Sequence, residues 1–193
     1  MKTLFKRQKL GVIDIGTLKI KLQIVKLASP NNLATVYKSN TLTCLGLRMH
    51  ENNNRPKQEY LEQTFNELSR CKQIIEKEGV DKLRVVSTHA LREMGDVGKE
   101  IAKQIQQSVG FNVEIISQEE EANLFFQAVT GDFPTKKDLT VVDIGGGSVQ
   151  ILIGNKNQLK KTFLLKAGAQ YLHDTLVPAI PGKTFLPKKK LKE

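Results

Sequence analysis

The 193-residue chain reads as an α/β protein, a mixed sheet with flanking helices, followed by the start of a second lobe. Three observations predict this. Strand-like runs alternate with segments of helical period through most of the chain. A strand–turn–strand unit occurs twice, as Ile13-Asp14-Ile15-Gly16-Thr17-Leu18-Lys19-Ile20-Lys21-Leu22 and as Val142-Asp143-Ile144-Gly145-Gly146-Gly147-Ser148-Val149-Gln150-Ile151, and the two copies align without a gap. After the second copy the chain offers one more strand and one short helix, a thin core that implies part of the second lobe is missing.

In chain order, Leu10 to Ile15 and Ile20 to Leu27 are expected strands around the first turn, because Ile20, Leu22 and Ile24 alternate with Lys21 and Gln23. Pro30-Asn31-Asn32 marks a turn, and Leu33 to Thr43 a third strand that completes an antiparallel meander. The polar stretch His50 to Pro56 predicts a mobile loop. Leu61, Phe65, Leu68 and Ile75 fall near one face of a helix over about Lys57 to Glu78, which Gly79 stops. Leu83 to Ser87 is a short strand, and Thr88 to Arg92 leaves its C-terminal end, where α/β sheets bind ligands. Val97, Ile101 and Ile105 give a helix ending near Gly110, and Val113 to Ile116 the next strand. Ser117 then opens a helix whose buried face is Ala122, Phe125, Phe126 and Val129; Ser117 and Glu120 have capping-box spacing. Glu119 suits the helix dipole. Glu121 lies beside the apolar face, although exposure is the commoner reading of a first-turn glutamate. These elements divide the chain into a basic segment at 1–9, a first lobe at 10–130, a linker at 131–138, an incomplete second lobe at 139–177 and a Pro/Lys-rich tail at 178–193. The second lobe holds the repeated hairpin, a strand over Leu159 to Leu165 and a helix near Ala169 to Leu176.

The net charge of +10 points to an anionic partner: a phosphorylated small molecule, a phosphate polymer, nucleic acid or a membrane surface. Part of that excess lies in terminal runs that read as solvated tails. A specific nucleic-acid partner lacks support, since no recognition helix, zinc finger or aromatic platform is visible. No stretch could span a bilayer, and the basic start meets Asp14 too soon for a signal peptide. Cys44 in a strand and Cys71 in a helix read as packing thiols of a reduced, cytoplasmic protein. His50, His89 and His173 are scattered, which argues against zinc.

The turns carry the chemistry. Gly145-Gly146-Gly147 is free of Cβ sterics, so its N–H groups can converge on an anion beside the Asp143 carboxylate. No Lys-Ser/Thr follows, and the next segment alternates like a strand, so this is not a Walker loop. An ordinary glycine hairpin explains one copy; two copies suggest two lobes facing a shared phosphate.

The order of Ile13-Asp14-Ile15-Gly16, Ser87-Thr88-His89-Ala90-Leu91-Arg92, Ile115-Ile116-Ser117-Gln118-Glu119-Glu120-Glu121-Ala122 and Val142-Asp143-Ile144-Gly145-Gly146-Gly147-Ser148 resembles the exopolyphosphatase and guanosine pentaphosphate phosphohydrolase (Ppx/GppA) family, over about Leu10 to Leu176. The resemblance implies a ribonuclease-H-like lobe of the actin-like ATPase superfamily. It implies hydrolysis of a terminal phosphoanhydride, releasing orthophosphate from inorganic polyphosphate or guanosine pentaphosphate (pppGpp), with Mg²⁺ or another divalent cation as cofactor. It leaves a homodimer open for a full-length protein. By motif position it makes Glu121 the water-activating glutamate, Asp143 a catalytic group and, with Asp14, a metal ligand. The phosphate-binding set becomes Gly16, Thr17, Arg92, Gly145, Gly146, Gly147 and Ser148. Gln150 stands where the family usually has a catalytic glutamate, and an amide cannot take a proton. Leu18 and Lys19 replace a small polar pair, Gln118 and Asn123 replace a glycine and an arginine, and the family's module continues beyond this chain. Two alternatives follow: a non-catalytic polyphosphate- or nucleotide-binding module of the same fold, and an actin-like kinase or ATPase, against which Arg92 and the Glu121 segment argue.

Overall fold

The computed structural model describes residues 8–29, 32–131, 133, 137–155 and 158–176. Strands β1 (Lys9–Ile15), β2 (Lys19–Ser29) and β3 (Asn32–Leu42) form the expected meander. Strands β4 (Lys82–Ser87) and β5 (Val113–Ile115) extend it in parallel from β1, giving the order β3-β2-β1-β4-β5. Parallel neighbours need crossovers, and helices supply them. Between β1 and β4 the chain builds α1 (Gln58–Glu78); between β4 and β5 it builds α2 (His89–Glu93) and α3 (Asp96–Ser108).

The alternation in β1 and β2 buries Ile13, Ile15, Ile20, Leu22 and Ile24 in one cluster with Leu68 and Cys71 of α1 and Ile101 and Ile105 of α3. Each such aliphatic side chain contributes roughly 1.5–3 kcal/mol on burial, which fixes both helices to this face of the sheet. The α1 face is rotated from the expected one: Tyr60, Thr64, Glu67, Leu68 and Cys71 are buried, while Leu61, Phe65 and Ile75 are only partly so. A buried glutamate is tolerated there because the Arg70 guanidinium donates to both of its oxygens, at 2.8 and 2.6 Å.

Two local expectations are corrected. Residues Met49–Asn52 form a 3-10 turn where a mobile loop was expected, because Met49 is buried in the main core and Leu47 beside it in a smaller one. Cys44 follows β3 in a left-handed turn (φ 56°) instead of lying within the strand. Burial pushes its thiol up to about 11 and that of Cys71 up to about 12, so both are unreactive packing groups. Thr88, at the C-terminal end of β4, stands before α2, which begins at His89 and carries Arg92.

The register brings the motifs together. Ile15 pairs with Ser87 and Ser87 with Ile115, so β1, β4 and β5 finish side by side and deliver Gly16, Thr88 and Ile116 to one edge. The Ser87 hydroxyl donates to the Ile15 carbonyl at 2.9 Å, pinning that level. From this edge α4 (Gln118–Thr130) departs, with the Ser117 hydroxyl accepting the Glu120 N–H at 3.1 Å. The cap is one-sided, because the Glu120 carboxylate takes Arg84 at 2.7 Å instead of returning to the backbone of Ser117.

A second, antiparallel sheet of β6 (Leu139–Ile144), β7 (Val149–Asn155) and β8 (Gln158–Leu165) packs on α4. Its core is thin, as expected: Ala122 and Phe126 meet Val141 and Leu152, with Phe125 and Val129 half-buried alongside. The sheet's other face leaves Val142, Ile144, Phe163 and Leu165 exposed. Helix α5 (Ala169–Leu176) ends the described chain. The turn at Pro30-Asn31, half of the expected linker, most of the basic start and the tail lie outside the described residues. Among those described, no helix is long and apolar enough to cross a membrane.

Candidate active site

The two copies of the repeat fold as the same hairpin. Asp14 lies opposite Lys21 in the first and Asp143 opposite Gln150 in the second. The Gly16 N–H donates to the Lys19 carbonyl at 3.0 Å, and the Gly145 N–H donates to the Ser148 carbonyl at 2.9 Å. In each turn the chain that follows takes up the carbonyls. Gly46 donates to Thr17, and Thr43 and Cys44 donate to Leu18; Ala169 donates to Gly145, and Gln170 and Tyr171 donate to Gly146. The N–H groups of Thr17, Leu18, Gly146, Gly147 and Ser148 take no backbone partner among the described residues. With carbonyls engaged and N–H groups free, both turns are polarised to receive an anion.

The turns face each other. A Cβ placed on Gly146 would meet Thr17 and Leu18 at 3.4 Å. Between them lies a cavity of about 330 Å³ lined by Asp14, Gly16, Thr17, Gly145, Gly146, Gly147, Ser148, Glu121 and Asp143. Nine residues singled out from the sequence therefore converge. Two do not reach it. Arg92 stands behind Glu121, donating to its carboxylate at 2.9 Å and to the Ile116 carbonyl at 3.0 Å. Gln150 is buried behind Asp143 at 2% exposure, and its Oε1 has no partner among the described residues. Gln150 shares the α4-facing side of β7 with Leu152 and lies on the same face of the sheet as its cross-strand partner Asp143.

Lys21 and His89 also line the cavity and were not singled out from the sequence. The gapless alignment of the repeats could have found Lys21, since it sets this lysine against Gln150. Lys21 holds Asp14 Oδ2 at 3.0 Å, while Asp14 Oδ1 is buried without a partner among the described residues. His89 lay inside a motif already noted. Its ring rests on Gly147, its Nδ1 is 3.5 Å from Thr17 Oγ1, and burial lowers its pKa, so it packs as a neutral imidazole between the turns. His89 and Gly147 also line a neighbouring cavity of about 520 Å³ with Arg48, Lys166 and Tyr171.

Electrostatics single out two carboxyls. Glu121, half-buried rather than exposed, has its pKa raised by burial against the opposing pull of Arg92, with Asp14 and Asp143 adding repulsion. Asp143 is raised by burial and by Asp14, with Lys21 pulling it down. Among the described residues no three His, Cys, Asp or Glu side chains group to hold a metal ion. Asp14 and Asp143, with the unpartnered Asp14 Oδ1 and the neutral oxygen of Gln150 behind, nonetheless fit the sparse protein share of a hydrated Mg²⁺, which takes one or two carboxylates and completes its shell with water and phosphate oxygens.

A ribonuclease-H-like lobe joined to a second sheet, with two glycine-containing turns facing each other at the join, defines a chain of the actin-like ATPase fold. The comparisons narrow this class. The family model for the Ppx/GppA phosphatase family matches residues 24–184, and the chain belongs to that family. It superposes on an exopolyphosphatase from Cytophaga hutchinsonii with a TM-score of 0.80 and 27% identity, covering 90% of this chain and 55% of that one. It superposes on the Aquifex aeolicus Ppx/GppA family member with a TM-score of 0.74 and 25% identity, covering 88% of this chain and 54% of that one. A curated relative, the bifunctional 3-dehydroquinate synthase/phosphatase of Fusobacterium nucleatum, is 28% identical over 165 residues, 81% of this chain and 24% of the relative. The chain thus spans about half the length of these structures and about a quarter of that relative.

Proposed function

We propose that the chain carries the phosphate-binding and water-activating part of a phosphoanhydride hydrolase that releases orthophosphate from the end of polyphosphate or of pppGpp. The observation that carries this reading is the pair of facing turns, each with its carbonyls engaged and its N–H groups free, around one cavity that also holds Glu121. The N–H groups of Thr17, Gly146, Gly147 and Ser148 would receive the equatorial oxygens of the terminal phosphoryl group, where charge gathers during displacement. Lys19 and Lys21 line the same cavity and add neutralising charge. Glu121 would hold the attacking water and take its proton. Arg92 acts as a positioning residue, fixing one carboxylate oxygen so that the other can turn to the cavity. Asp14 and Asp143 are the residues that would hold Mg²⁺, which supplies neutralisation of the phosphate charge when bound. The neighbouring cavity past His89 gives room for the rest of a substrate longer than one phosphate.

The test is orthophosphate release from tripolyphosphate and pppGpp by the full chain and by Glu121→Gln. A loss of roughly 10²–10⁴-fold in kcat with phosphate binding retained is expected for removal of a general base. Unchanged turnover in Glu121→Gln would remove Glu121 from its role. A second reading, a non-catalytic binding module, is favoured by the engagement of Glu121 with Arg92 and by the neutral Gln150 in place of a second carboxylate. Wild-type binding of polyphosphate without turnover would select it.

A further inference from the structure

Three carboxylates face the phosphate cavity, and the protein's own cations engage two of them: Arg92 holds Glu121 at 2.9 Å and Lys21 holds Asp14 at 3.0 Å. The repeat shows that the second hairpin is built otherwise. Lys21 occupies the cross-strand place opposite Asp14, and Gln150 the equivalent place opposite Asp143. Asp143 therefore has no cation of its own hairpin. Lys21, from the first hairpin, lines the same cavity as Asp143.

We propose that Lys21 is the built-in counter-ion of the Asp14–Asp143 pair, so that a divalent cation joins the cleft only together with the substrate's phosphates. The inference rests on the phosphate-cleft reading above and extends it to how the cleft acquires its cation. Two carboxylates brought together across a cleft attract a cation because they repel each other. An ammonium already seated on one of them relieves that repulsion and opposes an incoming cation. A glutamate in the place of Gln150 would add a charge for the metal; the amide adds none. The Lys21 side chain is 59% exposed, so its hold on Asp14 is modest and an Mg²⁺–phosphate complex, bringing its own ligands, can compete with it.

The test is Mn²⁺ titration of the full chain, followed by calorimetry and by the Mn²⁺ paramagnetic resonance signal, with and without methylenediphosphonate as a phosphate analogue that resists hydrolysis. Wild type is expected to bind Mn²⁺ weakly alone, at roughly millimolar concentration, and more tightly with the analogue. Lys21→Met should tighten Mn²⁺ binding without the analogue by roughly fivefold, the value of one partly exposed ion pair. Lys21→Arg should behave as wild type, and Gln150→Glu should tighten binding through the added carboxylate. Equal Mn²⁺ affinity in wild type and Lys21→Met, or tight wild-type binding without the analogue, would overturn the proposal. The readout needs no turnover: a chain that fails to hydrolyse phosphoanhydrides but shows these Mn²⁺ differences refutes the hydrolase reading and leaves the role of Lys21 standing.

Discussion

Adding a single methyl group at Gly147 tests whether His89 fixes the geometry of the phosphate turn. A Cβ built there lies 2.2 Å from the Cε1 and Nδ1 atoms of His89 and 2.6 Å from Cγ. Non-bonded carbons settle at roughly 3.5–4.0 Å, so the ring would have to withdraw by more than about an ångström. The ring is half-buried between Thr17 of the other turn and the glycine, and it can withdraw only by giving up those contacts and turning into one of the two cavities it borders. Overpacking of this kind costs about 1–3 kcal/mol. In a chain of this size that corresponds to a fall in melting temperature of roughly 2–12 °C. Calorimetry of Gly147→Ala, His89→Ala and the double variant measures the coupling directly, and the double variant should recover about 1 kcal/mol or more relative to the sum of the singles. Tripolyphosphate affinity should follow the same pattern, since the methyl group displaces the turn whose N–H groups receive the anion. Gly168→Ala is the contrast: its Cβ would lie 2.3–2.4 Å from backbone atoms of Ser148, Gly146 and Gly147, so removing the His89 ring should not rescue it. A Gly147→Ala protein as stable as wild type, or one whose loss is unaltered in the His89→Ala background, would refute the contact.

Further outcomes follow from the charges and the cap. Arg92→Met removes a group that lowers the pKa of Glu121, leaving burial, Asp14 and Asp143 to raise it further. Because a base works only when deprotonated, the acidic limb of kcat/KM against pH should move to higher pH, and an unmoved limb would count against Glu121 as the base. Asp143 has a folded pKa above its ordinary value, so its contribution to stability is present at low pH and lost as pH rises through the raised pKa. Asp143→Asn should therefore raise the melting temperature at pH 7.5 more than at pH 4; a shift equal at both would show that ionisation is not the cause. Ser117→Ala removes the acceptor of the Glu120 N–H and should cost about 1 kcal/mol, roughly 2–4 °C, by thermal melting.

The hairpins were legible in the sequence because period-two alternation and a glycine turn specify both strands and their pairing. The core residues of β1 and β2 fall where the alternation puts them. The gathering of Gly16, Thr88 and the start of α4 at one edge was legible only as a rule about strand ends, and the register of Ile15, Ser87 and Ile115 turns it into contacts. Arg92 shows what was hidden. A cation within a phosphate-binding motif suits direct contact with phosphate, yet Arg92 pairs with Glu121, a partner 29 residues away brought near by two parallel strands. The His50 to Pro56 stretch was hidden for another reason: its composition is polar, and the one residue that anchors its turn, Met49, precedes it.

Gln150 changes meaning most. Read along the sequence, it is a lost catalytic glutamate. In the sheet it is buried across from Asp143 and does not line the cavity. What it removes is a charge. Set against the equivalent position in the other hairpin, the difference becomes specific: the first lobe places a lysine across from its aspartate and the second places a neutral amide. A symmetric cleft with a carboxylate at both places would gather five negative groups at one small cavity and would need cations to stay folded around it. This chain instead meets Asp14 with Lys21, meets Glu121 with Arg92, and leaves Asp143 as the one cavity carboxylate without an ion-pair partner among the described residues. That asymmetry is where a substrate carrying both its phosphates and its metal would find the charge it lacks.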